Sequence, residues 1–152
     1  MAQNAIELLK SDHDKVRQLL DELTNTTERA TKKRAELCER IAKELEAHTK
    51  IEEEIFYPAF KQAGGKEDVT LIHEAKEEHR AVDKLVLPDL QKTEPGSLEF
   101  SGRAKVLKEL IEHHADEEEE EDMFPEAKRL FSKDQLADLG ERMARRKQEL
   151  MG

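Results

Sequence analysis

The stretch HTKIEEEIFYP, residues 48–58, decides how this chain folds. His48 is followed four residues later by Glu52, and residues at positions i and i+4 lie one above the other on a helix face. The imidazole and the carboxylate can therefore reach the same point in space. A second copy of the motif, HHADEEEEEDMFP, occupies residues 113–125. Two such copies on separate helices indicate a metal site held between them.

The composition restricts the kinds of partner. The 152 residues carry a formal net charge of −10, which argues against binding to nucleic acid or to an anionic membrane surface. No apolar run approaches the roughly 20 residues needed to cross a bilayer, and the N-terminus lacks the apolar core of a secretory signal. The lone cysteine, Cys38, cannot form an internal disulfide and is expected to be an inert, packed residue. We therefore expect a cytoplasmic protein.

Apolar residues recur at steps of three and four along most of the chain, which is the period of a helix that buries one face. This periodicity predicts five helices, over about residues 4–24, 28–62, 67–90, 98–130 and 133–150. Pro58, Pro88 and Pro125 are expected to kink or end a helix near its C-terminal side. Long helices with short connections predict an all-α, up-down-up-down four-helix bundle over about residues 3–130, followed by the short fifth helix. The whole chain, residues 1–152, is predicted to be one domain.

Each of the four long helices has one histidine on its apolar stripe, where leucine would be expected: His13, His48, His79 and His114. On the second and fourth helices an acid follows one turn later, Glu52 and Glu118. Burying these groups without partners would cost roughly 1–3 kcal/mol for each unsatisfied group, and more for each charge. A domain has a total stability of only roughly 5–15 kcal/mol, so a metal that pairs all of them is favoured over a purely structural role. The stripe of the second helix reads Leu37, Ile41, Leu45, His48, Glu52, Ile55 and Ala59.

The types of donor indicate iron. Imidazole and carboxylate without thiolate suit iron, manganese or zinc, and Cys38 does not neighbour the other donors on any stripe. Six donors exceed the four of a structural zinc site, whereas carboxylates from two helices can bridge two metals. Two iron ions are therefore the predicted cofactor, and the predicted ligands are His13, His48, Glu52, His79, His114 and Glu118.

The second copy leaves the identity of its carboxylate open. Pro58 lies six residues after Glu52, whereas Pro125 lies seven residues after Glu118. Glu119 would restore the six-residue spacing, but in an α-helix it is turned by about 100° from the stripe. Either Glu118 is the ligand with a bulge after it, or Glu119 is the ligand with a bulge before it. The α-helical stripe favours Glu118.

The histidine of the second copy has the same ambiguity. His113 could be the ligand instead of His114, paired with Glu117 one turn later. The order His-Ala-Asp that begins at His114 favours His114. The acids of residues 116–122 are otherwise expected to form a solvated face, with one of them binding metal.

With these motifs the chain resembles the hemerythrin-like HHE domain family. The resemblance rests on His13, on HTKIEEEIFYP, on EEHRAVD around His79 and on HHADEEEEEDMFP, and it covers about residues 6–130. It implies a four-helix bundle around a non-haem di-iron centre with an oxo or hydroxo bridge, bound by the six residues named above. It also implies a protein that binds or reacts with dioxygen or hydrogen peroxide, or that senses oxygen or iron.

One departure from the family concerns the third helix. Oxygen-carrying hemerythrins place two histidines four residues apart there, whereas the positions one turn either side of His79 are Ala75 and Asp83. His73 is turned by about 120° from His79 and is expected on the surface. One iron should then have an open position, or one filled by Asp83 or by Tyr57, which could instead be a packing residue. Anionic oxygen ligands stabilise ferric iron, so catalase-like disproportionation of hydrogen peroxide is the expected enzyme activity.

Two other functions stay open. A binding module (an oxygen or iron sensor, or an iron buffer) needs no catalysis. The basic residues of the fifth helix could then contact a partner, or they could simply be solvated: Arg142, Arg145, Arg146 and Lys147. The remaining possibility is a metal-free structural bundle, which predicts that no transition metal is retained after iron loading.

Overall fold

A computed structural model, which describes residues 2–152, is all α-helical, as the periodicity predicts. Four long helices form the up-down-up-down bundle, and a fifth helix packs along it. The helices are α1 (Ala5–Thr24), α2 (31–63), α3 (66–92), α4 (98–130) and α5 (Lys133–Met151). Residues 2–152 contain no strand, so the predicted fold class is confirmed. None of the helices in this range is both long enough and apolar enough to cross a membrane.

Side-chain caps determine where the first and last helices begin. The Asn4 side chain accepts from the N–H of Glu7, and the Glu7 side chain accepts from the N–H of Asn4. Ser132 and Gln135 form the same reciprocal pair before α5. Each pair satisfies two N–H groups that the first helical turn leaves without partners. Both caps were predicted from the sequence.

A buried arginine holds the loops at one end of the bundle. The loop before α2 extends through residues 25–30, so α2 begins at Thr31 rather than near residue 28. Arg34, which is 2% exposed, donates to the carbonyl oxygens of Thr26 and Pro95 at 3.1 and 2.7 Å. It therefore ties the loop before α2 to the loop before α4, and these bonds compensate for burying its charge.

Three long helices contain a wider, π-helical segment just before a proline. The segments are Glu52–Phe56 in α2, Val82–Val86 in α3 and His113–Met123 in α4. At the end of each one, an N–H bonds the carbonyl five residues back: Tyr57 to Glu52, Leu87 to Val82 and Phe124 to Glu119. A proline has no N–H, and its ring clashes with the carbonyl four residues back in an α-helix. The wider turn relieves that clash, so all three helices continue past their prolines.

Each π turn also shifts the inward-facing stripe by one residue. In an uninterrupted α-helix, the stripe after Glu52 would continue through Ile55 and Ala59, as predicted. Phe56 and Phe60 are the fully buried residues instead. Ile55 and Ala59 are only partly buried against the same cluster, because the turn after Glu52 closes on the fifth residue rather than the fourth.

The interior consists of two hydrophobic clusters on either side of a layer of polar side chains. One cluster contains Phe56, Phe60 and Phe124, and the other contains Leu20 and Leu107. Along each long helix, the buried histidine comes between residues of one cluster and residues of the other. The polar layer is therefore shielded from water on both sides, which strengthens electrostatic interactions inside it.

The fifth helix packs against α1 and α2. Leu136, Leu139 and Met143 are buried on its inner side, as predicted. A Cβ at Gly140 would lie 2.4 Å from the carbonyl oxygen of Gln3, so only glycine allows this close approach to the start of α1. The helix is thus fitted to the bundle rather than solvated on all sides.

Two residues that the sequence placed away from the metal site are found away from it. Cys38 is 6% exposed and packs in the hydrophobic cluster around Leu20, and burial raises the pKa of its thiol. A thiol in such an environment is unreactive, as expected. His73 is exposed on α3.

Candidate metal centre

Four histidines, one from each long helix, meet in the polar layer: His13, His48, His79 and His114. None is more than 7% exposed. The Nε2 atoms of His79 and His114 lie 3.1 Å apart, and the ring centroids of His13 and His48 lie 5.0 Å apart. The apolar stripes of the sequence therefore placed these side chains correctly inside the bundle.

Glu52 lies between the two pairs of histidines. Its Oε1 atom is 3.2 Å from Nε2 of His48 and 3.1 Å from Nε2 of His79. Both Glu52 oxygens and the His48 Nε2 are buried without a hydrogen-bond partner among residues 2–152. Buried polar atoms without partners are costly, and a cation between these atoms would satisfy all three.

Glu119, and not Glu118, brings the second carboxylate into the layer. Glu119 is fully buried, with its Oε1 at 2.9 Å from Nε2 of His13 and 3.4 Å from Nε2 of His114. Glu118 belongs to a separate group of side chains. The structure therefore places Glu119, and not the predicted Glu118, beside the inner histidines.

The π-helical segment of α4 is the physical reason for this correction. In an α-helix the side chain one turn after His114 would be Glu118. Residues 113–123 are π-helical, so one turn takes about five residues and Glu119 follows His114 on the inner face. Of the two alternatives that the sequence left open, the structure has the bulge before Glu119.

We call His13, His48, Glu52, His79, His114 and Glu119 the inner cluster. Its donor atoms form two overlapping groups, each with all atoms within 4.8 Å of one another. The first group is His13, His48, Glu52 and Glu119, and the second is Glu52, His79 and His114. Because Glu52 is common to both, the cluster has the donors for two neighbouring cations that share a carboxylate.

Each inner histidine also donates from Nδ1 to a carboxylate outside the cluster. The pairs are His48 with Asp12 at 2.9 Å, His79 with Glu53 at 2.6 Å, His114 with Glu78 at 2.6 Å and His13 with Glu120 at 2.7 Å. Each carboxylate comes from an adjacent helix, so the pairs form a closed ring around the bundle. A carboxylate on Nδ1 orients the imidazole and leaves Nε2 free to bind a cation.

Sequence reasoning missed these four outer carboxylates. A signal was present, because each of them is adjacent in sequence to an inner residue: Asp12 to His13, Glu53 to Glu52, Glu78 to His79 and Glu120 to Glu119. Which histidine each acid holds depends on the arrangement of neighbouring helices, and the sequence pattern does not contain that arrangement.

Charges in the inner cluster influence one another strongly. Burial alone would lower the pKa values of His48 and His114, but the charges of Glu52 and Glu119 raise them well above the usual value. Burial alone would raise the pKa of Glu119, but His114 and other donors hold it well below its usual range. Protons on the imidazoles and a bound cation would therefore compete for the same carboxylate charge.

Tyr57 contacts the inner cluster directly. It is 1% exposed, its hydroxyl donates to Oε2 of Glu119 at 2.9 Å, and its ring stacks on His79 with centroids 5.7 Å apart. Burial, together with the charges of Glu119 and Glu52, raises the pKa of the phenol well above its usual value. Tyr57 is therefore both a packing residue and a neighbour of the cluster, with its proton held on the hydroxyl.

A cavity of about 30 Å³ adjoins the inner cluster. All four inner histidines line it, and Val16 and Val82 contribute apolar wall. This is enough space for a water molecule or another small molecule. Asp83, a predicted candidate for the open ligand position, lines the same cavity, and burial raises the pKa of its carboxyl.

The fifth helix reaches the ring of outer carboxylates. Lys147 pairs with Asp12, whose other oxygen accepts from Nδ1 of His48. Arg146 donates to Oε1 of Glu54 on α2 at 2.9 Å. These two basic residues, for which the sequence left solvent or a partner open, hold α5 onto the bundle.

A second group of donors lies beside the inner cluster. We call Glu78, His113 and Glu118 the outer cluster, since their donor atoms lie within 4.8 Å of one another. Burial and the neighbouring Glu78 raise the pKa of Glu118 to about 8. The sequence-predicted Glu118 and the alternative His113 are thus brought together here, away from the other predicted site residues.

Comparisons with known proteins agree with this arrangement. Residues 4–127 match the hemerythrin HHE cation binding domain. The crystal structure of a hemerythrin HHE cation binding domain-containing protein from Mycobacterium kansasii has a TM-score of 0.85 and 31% identity, over 99% of this chain and 88% of that chain. An uncharacterised protein of Mycobacterium tuberculosis is 30% identical, over 98% of this chain and 88% of its own length.

A similarity to a longer protein covers a smaller share. A DNA nickase of Nostoc is 28% identical over 116 residues, which are 76% of this chain but 31% of the nickase. The chain therefore spans about a third of that relative. Taken with the family match over residues 4–127 and the 30% identity to the mycobacterial protein, the bundle and its polar layer lead to one conclusion. The chain belongs to the hemerythrin HHE cation-binding domain family.

Proposed function

We propose that this protein binds two iron ions in the inner cluster and reacts there with dioxygen or hydrogen peroxide. One observation carries the proposal: Glu52 lies between two pairs of histidines, and both of its oxygens lack a hydrogen-bond partner in the described part of the chain. The family accounts for a bound cation, and the proposal adds its identity and number. Imidazole and carboxylate donors without thiolate suit iron.

The arrangement of the two carboxylates supports a count of two ions. Oε1 of Glu52 lies within 3.2 Å of both His48 and His79, which belong to different pairs of histidines. Oε1 of Glu119 lies within 3.4 Å of His13 and His114, again one from each pair. Two carboxylates that each face both pairs can neutralise two cations held side by side.

The protein around the cluster would restrict what reacts there. Iron, when bound, supplies Lewis acidity and redox chemistry. The hydrophobic clusters on both sides shield the cluster from bulk water, and the adjoining cavity of about 30 Å³ has room for a molecule of the size of dioxygen or hydrogen peroxide. The Tyr57 hydroxyl donates a hydrogen bond to Oε2 of Glu119 and so keeps a proton beside the inner cluster.

Metal analysis, optical spectra and peroxide assays test the proposal. Iron-loaded protein should contain two irons per chain, absorb in the near ultraviolet as oxo-bridged diferric centres do, and evolve oxygen from hydrogen peroxide. His79→Ala should lose iron and activity, whereas His73→Ala removes an exposed histidine from the same helix and should lose neither. Oxygen evolution no greater than that of free iron would remove the enzyme claim. If the loaded protein retains no iron, the proposed iron centre is wrong.

One contact favours the alternative function, a sensor or iron-binding module without catalysis. Lys147 of α5 pairs with Asp12, and Asp12 holds His48 of the inner cluster, so ion binding can be linked to the docking of α5. Hydrogen exchange of α5 in the metal-free and iron-loaded protein tests this link. Strong protection on loading, without peroxide activity, would favour the alternative; unchanged exchange with activity would favour catalysis.

A cytoplasmic setting is part of the proposal. The chain has one cysteine and a net charge of −10, so it has no internal disulfide and is a poor ligand for nucleic acid or anionic membranes. Fractionation of cells that produce the full chain, with detection of the protein in each fraction, tests this placement.

A further inference from the structure

The outer cluster places carboxylates around both ring nitrogens of His113 on the outside of the bundle. His113 directs Nδ1 to Oε2 of Glu117 at 2.9 Å, and its Nε2 faces Oε2 of Glu78 at 3.3 Å and Oε1 of Glu118 at 3.8 Å. One carboxylate therefore lies beside Nδ1, and two more face Nε2. This is the geometry of a histidine prepared to bind a cation.

Glu118 gives independent evidence that a ligand is missing from this cluster. Glu118 is only 8% exposed, and its Oε2 atom is buried with no hydrogen-bond partner in residues 2–152. Glu78 and Glu74 add further negative charge around it. A carboxylate that is buried among other acids, with an oxygen left unpaired, is costly unless a proton or a cation joins it.

Glu78 links the outer cluster to the inner one, because each of its two oxygens faces a different histidine. Its Oε1 atom accepts from Nδ1 of His114, while its Oε2 atom faces Nε2 of His113. A cation in the outer cluster can therefore bind Oε2 and leave the bond to His114 in place. The two clusters can be occupied at the same time.

We propose that Glu78, His113 and Glu118 form a third cation site, separate from the inner cluster. Two carboxylates and one imidazole, with no thiolate, suit a divalent ion such as Zn²⁺. Three protein donors leave room for water in the remaining coordination positions. The His113 side chain is 49% exposed, so an ion reaches the site from solvent without passing through the core.

Counting bound zinc tests the site without any oxygen chemistry. Tag-free full-length protein is dialysed to equilibrium against Zn²⁺, and the bound metal is measured by mass spectrometry. His113→Ala and Glu118→Gln should each bind one ion fewer than the wild type. Glu121→Gln removes an exposed acid from the same run and should bind as many as the wild type. Glu78 is left unchanged because it also holds His114.

The difference of one ion between wild type and variants is the result that matters. It does not depend on the inner cluster, because any failure of that cluster to bind two ions lowers all the counts equally. Glu118→Gln keeps the size of the side chain, so it provides the comparison even if His113→Ala does not fold. Equal counts in the wild type and in the folded variants would overturn the proposal.

Discussion

The two His–Glu copies deliver the same pair of side chains to one centre through different helical geometry. In α2, His48 and Glu52 are four residues apart in an α-helical turn, and a π turn follows Glu52. In α4, His114 and Glu119 are five residues apart within a longer π segment. The extra residue of the second copy is therefore accommodated before the acid and not after it.

The parts of the two copies that follow the acid are alike. Glu52 and Glu119 each lie six residues before a proline, and an N–H just before that proline bonds the carbonyl of the acid. Tyr57 and Phe124, which precede the prolines, are both buried in the same hydrophobic cluster. The position of each acid is thus set by the packing that follows it rather than by its distance from the histidine.

The largest expected effect on stability comes from deleting Glu54, an exposed residue of the first copy. The deletion converts the π turn between Glu52 and Pro58 into an ordinary α-helical turn, so Phe56 and Phe60 stay on the inner face but the ring of Pro58 meets the carbonyl four residues back. That clash should lower the free energy of unfolding by about 3 kcal/mol. Urea denaturation followed by circular dichroism measures the change.

Deleting the exposed Glu117 of the second copy is the matched experiment. It places Glu119 four residues after His114, which is the spacing of the first copy, and leaves the residues after Glu119 in register. The free energy of unfolding should change by less than about 1 kcal/mol, since one π turn becomes an ordinary α-helical turn. Equal losses for the two deletions would contradict the idea that the fold requires the π turn before each proline and not the extra residue before Glu119.

Truncating neighbouring acids tests which of them belongs to the inner cluster. Glu119→Ala should lower the affinity of the inner cluster for iron by more than about 100-fold, because it removes a donor and not merely a supporting group. Glu118→Ala should change that affinity by less than about 3-fold, since Glu118 lies in the outer cluster. Iron titration monitored in the near ultraviolet distinguishes them. A larger effect at Glu118 would restore the choice that the α-helical stripe favoured.

Removing one of the outer carboxylates should weaken iron binding less than removing a donor of the inner cluster, whichever copy of the motif it supports. Asp12→Ala removes the acceptor of Nδ1 of His48, and Glu78→Ala removes that of His114. Each should weaken iron binding by about 10–100-fold, since such carboxylates fix the orientation of the ligand.

Lys147→Met leaves Asp12 in place and removes a partly exposed ion pair, so it should lower the free energy of unfolding by no more than about 1 kcal/mol. Iron affinity and urea denaturation are measured on all three variants.

The smallest effect is expected from the prolines themselves. Pro58→Ala and Pro125→Ala restore an N–H, but the buried Tyr57 and Phe124 still require the wider turn before them. The free energy of unfolding should therefore change by less than about 1 kcal/mol, with iron binding retained. If either substitution abolishes iron binding, the proline and not the packing holds the π turn.

Local sequence patterns predicted the helices and the four inner histidines because both follow the period of the α-helix. The same period failed beyond Glu52, where Phe56 and Phe60 are buried instead of Ile55 and Ala59. The same period pointed to Glu118, whereas the π turn of α4 brings Glu119 to the inner histidines. A stripe read at 3.6 residues per turn loses register by one residue at each π turn.

The sequence by itself determined that this is a helical bundle whose core is interrupted by one histidine on each long helix. The tertiary structure decided which acids reach those histidines: Glu119 in place of Glu118, and the ring of Asp12, Glu53, Glu78 and Glu120. The physical reason is that a helix can take up one extra residue in a π turn, and side chains on adjacent helices decide where that turn is stable. Those contacts join residues far apart in the chain, so no local spacing contains them.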